Sequence, residues 1–295
     1  MLAVLAVGFA ASSNGFANGA NLANIGMQST ILLLLALPMT LIILTEGIDL
    51  SMGAVLTLAC VVLAAIAVKT GSVALALAGA LALGAVFGFA NGALVAWLGL
   101  PPFVTTLGTL GIASGLALVI TNAQSITGLG DDVVFFYSGR LAGIPMPLLV
   151  GVAAYLFTHW LLYQTRFGTY VFALGGNREA LRLAGVRANA YLIGVYVFGG
   201  AMAGLAALLL TARMSAAHPT AAIGMEFDAI AAVAIGGTSF EKGNGWLFGT
   251  VLGVLLIGVL RNGLNLLAVA SSLQVVAIGV LIIAALLIES FRGRV

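Results

Sequence analysis

The chain has 295 residues, 62% of them hydrophobic and 7% charged, a mean hydropathy of +1.21 and a formal net charge of +2. A soluble domain carries about 25% charged residues, so this chain has too little polar surface to cover a water-soluble globule. The slight basic excess gives no argument for nucleic acid, and the single Cys60 excludes an intrachain disulfide.

Apolar runs near 20 residues recur, the length that crosses about 30 Å of hydrocarbon as a helix. Barrel strands would instead alternate over about 10 residues. The expected fold is therefore all-α and polytopic, one transmembrane domain over 1–295 with about ten segments. The opening MLAVLAVGFAA is short and lacks the basic start of a secretory signal; it reads as a shortened first span. Residues 12–24 are rich in Asn, Gly and Ser and read as a loop. Runs follow at 26–45, 52–68, 73–98 and 103–121, then a polar segment at 122–146, then a run at 148–164. Residues 165–189 form a charged loop with Arg166, Arg178, Glu179, Arg182 and Arg187. The last runs are 190–211, 226–237, 246–265 and 272–289. The 226–237 run is too short to span alone and reads as a broken or re-entrant helix, tolerated where protein or water covers it.

Within the charged loop, 177–184 is the helix expected. Asn177 can cap it, Glu179 suits its positive first turn, and Gly185 suits its end. With this loop inside the cell, alternation places Arg166, Arg178, Arg182, Arg187, Lys242, Arg292 and Arg294 inside. Lys69, Arg140, Arg213 and Arg261 fall outside. Seven against four follows the positive-inside rule, with both termini cytoplasmic.

Gly84, Gly88 and Gly92 recur at four-residue spacing, as do Gly245, Gly249 and Gly253, and Gly200 with Gly204. Such faces pack helices closely, within one chain or between two copies. Asn91-Gly92 and Asn262-Gly263 each fall late in a span, a hint of two halves of five spans, inverted relative to each other.

Three constellations combine polar groups. In 46–53, EGIDLSMG, Asp49 or Ser51 either caps the helix from Met52 or takes part in a pathway. Around 224–239, Glu226 and Asp228 open a short helix and Gly236-Gly237-Thr238 close it; the choice again lies between capping and pathway lining. On the outer side, Arg213 and His218 are either loop residues or contacts for a partner. Asn91 and Asn262 join the pathway candidates. Neither histidine has a second His or Cys at metal spacing, so no metal site is expected. No P-loop, nucleophile elbow, HExxH or CxxC occurs. No catalytic residue is expected, nor an enzyme.

These stretches carry a resemblance. GIDLSMG (47–53), FALGGNREALRLAGV (172–186), PTAAIGMEFDAIAAVAIGGTS (219–239) and RNGLNLLAV (261–269) are similar to the permease subunits of ribose/xylose/arabinose/galactoside ABC importers, ribose permeases most of all. The resemblance implies an inner-membrane homodimer with ten spans, forming the pathway for a ribose-like monosaccharide. A periplasmic sugar-binding protein would deliver the solute. A separate cytoplasmic ATPase would bind ATP and Mg and hydrolyse the ATP, leaving no cofactor in this chain. It also implies that 177–186 is the coupling helix, an E-A-A-x-x-x-G element that docks in the ATPase. Asn177, Arg178, Glu179, Ala180, Arg182 and Gly185 fall there, and Leu181 stands at the second alanine. Glu46 departs from a common glycine before GIDLS, and 240–245 from a glycine-rich turn. The alternatives are a related permease for a nucleoside, autoinducer or branched-chain amino acid, or a standalone secondary carrier. Few charges and no obvious polar cluster in the spans suggest that the permease need hold its solute only weakly.

Overall fold

The computed structural model describes residues 1–13, 15–240 and 243–292, with side chains except at 282 and 284–292. Of the basic residues assigned to the inner side, Lys242, Arg294 and the Arg292 side chain lie outside the described residues, as do two residues of the 240–245 turn. The described residues form twelve helices. These are α1 (Leu2–Ser12), α2 (Gly19–Leu44), α3 (Met52–Thr70), α4 (Val73–Trp97), α5 (Pro102–Thr121), α6 (Asp131–Ser138), α7 (Met146–Tyr163), α8 (Arg166–Leu183), α9 (Ala188–Met214), α10 (Met225–Ile235), α11 (Leu247–Leu266) and α12 (Ser271–Arg292).

The chain is an all-α polytopic membrane protein, and each of the ten expected segments falls on a helix. Among the described residues, seven helices are long and apolar enough to cross a membrane. Helices α1 and α10 have 11 residues each, about 16 Å of rise.

Two expectations need correction, those for 12–24 and for the charged loop, while the polar segment and the glycine series gain detail. The 12–24 stretch is not all loop, because Asn18 accepts the Ala20 N–H and starts α2 at Gly19. The 122–146 segment holds α6 and a small antiparallel hairpin, β1 (Arg140–Leu141) with β2 (Ile144–Pro145). The charged loop is mostly helix: α8 starts at Arg166, where Val171 and Leu174 bury an apolar stripe, and kinks at Asn177. The glycine series pack within the chain. A β-carbon on Gly84 would overlap the Gly200 carbonyl, and one on Gly200 would overlap that of Gly84. Gly88 lies against the Tyr196 backbone, Gly236 against Gly249, and Gly253 against Ala232. Crossings α4–α9 and α10–α11 are thus backbone-to-backbone contacts of small residues, and no contact between copies is read from these series.

Helices α2, α3 and α9 occupy the centre. Thr40 of α2 and Thr57 of α3, like Thr158 of α7, each donate to the carbonyl four residues back. That solves the cost of a polar group in hydrocarbon. Helices α4, α5 and α7 turn Val86, Phe89, Ile112 and Leu156 outward, as lipid-facing helices do.

Candidate functional site

The second half of α8 is an exposed, doubly capped helix. Asn177 is extended (φ −161°, ψ 94°), and its Oδ1 accepts the Ala180 N–H at 2.8 Å. At the other end Gly185 takes φ +79°. Its N–H donates to the Arg182 carbonyl, and the Val186 N–H to that of Leu181; this pair of bonds is a Schellman close. Leu181 is buried, whereas Arg178, Glu179, Ala180 and Arg182 are exposed, and Leu183 is 82% exposed. Leu181 belongs to the buried apolar core, and Val186 is half-buried against that core. Glu179 meets Arg182 at 3.4 Å, and Arg178 reaches Asn189 at 3.0 Å. Both pairs are solvated and contribute little. Above the kink, a β-carbon on Gly175 would strike the Leu44 carbonyl and Gly243. So α8 rests directly on the last residue of α2.

A second set of polar residues meets inside the bundle. After α2, Glu46 takes φ +61°, with Glu46 N–H to the Ile43 carbonyl and Gly47 N–H to that of Ile42. The chain then turns inward. Asp49 is buried, and its Oδ1 accepts both the Ser51 N–H (2.8 Å) and the Ser51 hydroxyl (2.6 Å). Asn91 of α4 donates to Ser51 Oγ at 2.8 Å. Neither Asp49 nor Ser51 caps α3 by a bond to its first-turn N–H groups; Asp49 closes a local turn instead. The expected lack of polar clusters is thus overturned, because residues 40 positions apart in sequence are joined here.

Helix α10 begins against the same region. Gly53 has no room for a β-carbon beside the Glu226 carboxylate and the Ala222 carbonyl, and Thr57 Oγ1 accepts the Ala222 N–H. The first and second constellations are thereby brought together across α3 and α10. Glu226 bends back to the Gly224 N–H at 3.2 Å, and Asp228 forms an ion pair with Arg261 of α11. Gly237, at φ +83°, closes α10 with a Schellman pair, Gly237 N–H to Ala234 and Thr238 N–H to Val233. Thr238 is buried against Gly245.

The family described as branched-chain amino acid transport system / permease component matches residues 21–286. The chain belongs to this permease family. It is 40% identical over 294 residues to the ribose import permease protein RbsC of Escherichia coli K12, covering 98% of this chain and 91% of that one. The D-allose transport system permease protein AlsC of the same strain is 39% identical over 275 residues, 93% and 84% of the two chains. The ribose import permease of Bacillus subtilis 168 is 40% identical over 271 residues, 91% and 84%. No solved structure matches.

In this permease the remaining candidates separate. Asn262 exchanges two hydrogen bonds with Asn21 of α2 (2.8 and 2.9 Å), so it ties α11 to α2 and does not join Asn91. His218 pairs with Ser125, beside an antiparallel bridge between Ile126 and Ala217 that fastens two loops. Arg213, at the end of α9, does not join His218 but borders a cavity between helices. Sequence reasoning missed Asn21 and the role of Arg261. The available signal for Arg261 was a cation inside an apolar run, one helix away from a carboxylate.

Proposed function

We propose that the chain is the permease subunit of an ATP-binding-cassette importer that passes a neutral monosaccharide through the inner membrane. The observation that carries this reading is the near-full-length likeness to ribose and D-allose permeases. The exposed, capped helix at 177–184 supports it, because such a helix is built to be gripped by another protein. ATP binding would close a cytoplasmic ATPase around that helix and shift α8. A periplasmic binding protein would deliver sugar to a homodimer of this chain, and both termini would be cytoplasmic. Each ligand moves the gate only as far as it favours one state over the other.

The chain should be coexpressed with the ATPase and sugar-binding protein of a ribose importer and reconstituted in liposomes. Uptake of D-ribose or D-allose that needs both ATP and the binding protein is the expected result. Uptake driven by an ion gradient without any ATPase would overturn the reading in favour of a secondary carrier.

A further inference from the structure

A cavity of about 390 Å³ lies between α2, α9, α10, α11 and α12, within the roughly 300–1,000 Å³ of small-molecule sites. We propose that it is a holding site for the monosaccharide inside a single protomer. The proposal rests on the function given above.

Three observations point to a neutral polyhydroxyl ring. First, the wall carries an ion pair, Asp228 with Arg261, where an apolar pair would pack as well and cost no desolvation. Second, free hydrogen-bonding groups of both kinds face the space. The Asp228 side chain is only 10% exposed. Its Oδ2 takes Arg261, and its Oδ1 accepts no hydrogen bond among the described residues. The amide NH2 of Gln28 gives one hydrogen to Asn24, that of Gln274 gives both to Asn265 and Val269, and both carbonyl oxygens are left as acceptors. The same bond uses Asn265 Oδ1, leaving its NH2 as a donor. Third, Ser29 is one of the lining residues, and its Oγ, buried beside Gly258, has no partner among the described residues.

A sugar hydroxyl donates once and accepts twice, so it needs such a mixed set. Ile31, Leu32 and Ile257 supply an apolar floor for the C–H face of a ring. The lining includes Arg213 and Ile223, which are exposed, so the cavity opens toward the side where a binding protein would dock. An unpaired buried acceptor strengthens selection against a solute that lacks the matching hydroxyl.

The test uses the complete transporter in nanodiscs without nucleotide, carrying Asn265→Cys in one preparation and Gln28→Cys in another. Cys60 is buried, so the introduced thiol is the one that reacts with a membrane-impermeant thiol reagent. D-ribose, D-allose and D-galactose are the probes. Whichever sugar the wild-type transporter imports should slow labelling at both positions by roughly threefold when present at twice its Kd. The holding site is overturned if that sugar is imported yet neither thiol is protected. It is overturned equally if inorganic phosphate protects and no sugar does. Import of none of the three sugars by the wild type would instead remove the functional reading, and this site with it.

Discussion

Gly84 and Gly200 touch through their backbones, each lying where the other's β-carbon would be. The α4–α9 crossing depends on that reciprocal absence. Gly200→Val should cost about 1–3 kcal/mol, the range for overpacking a filled interface. The check is the melting temperature of detergent-purified protein, which should fall well below that of Gly130→Val, an open loop position with φ −67°.

Glu46 should be improvable. It is an exposed residue held at φ +61°, and a left-handed conformation costs an L-residue about 1–2 kcal/mol. Glycine adopts it freely. Glu46→Gly should therefore raise the melting temperature, and Glu46→Val should lower it. An unchanged value for both would mean that this turn contributes nothing to stability.

The cap on the exposed helix can be removed without touching its outer surface. Asn177→Ala loses the bond to the Ala180 N–H, worth about 1 kcal/mol. Hydrogen exchange of the amides at 178–181 should quicken while α9 stays protected. If the helix couples transport to an ATPase, import should drop in step with that fraying.

Glu179→Lys should leave membrane insertion intact, since Glu179 is exposed and its partner Arg182 is only 3.4 Å away in solvent. Import should fall and sugar-stimulated ATPase activity should be lost. Full stimulation in this variant would argue against the helix as the coupling element.

The Asp228–Arg261 pair should show strong non-additivity. Asp228→Asn leaves Arg261 facing a neutral wall, and Arg261→Gln leaves a carboxylate that is nine-tenths buried. Each single change should cost about 1–3 kcal/mol, less than a fully buried pair because Arg261 is partly exposed. The double variant should recover part of the loss, as read by thermal unfolding of all four proteins in a cycle.

The helices were legible because hydrocarbon thickness dictates run length and because Asn177, Gly185 and the Gly236-Gly237 pair mark ends by local chemistry. Val171 and Leu174 were legible in principle, but a short apolar run bounded by Arg166 and Arg178 read as loop until a neighbouring helix gave it something to cover. The Asp49–Ser51–Asn91 cluster was not legible, because no local rule says that α4 will pass that turn. The same holds for Asn21 with Asn262 and for Asp228 with Arg261, whose partners lie 241 and 33 residues apart. Side-chain chemistry nominates such residues; only the packing of helices pairs them. The inward turn of Leu181 was likewise invisible in one dimension, its side chain being buried while its neighbours are exposed.

Gly175 has a mechanical corollary. With no side chain there, α8 sits on the carbonyl that ends α2, and the turn bearing Asp49 starts only two residues later. If a partner grips the solvent-side tip as proposed, a tug there would need no long relay of tilting spans. It would arrive at the inward-folded turn through one bare backbone joint, a knuckle between that surface and the interior of the bundle.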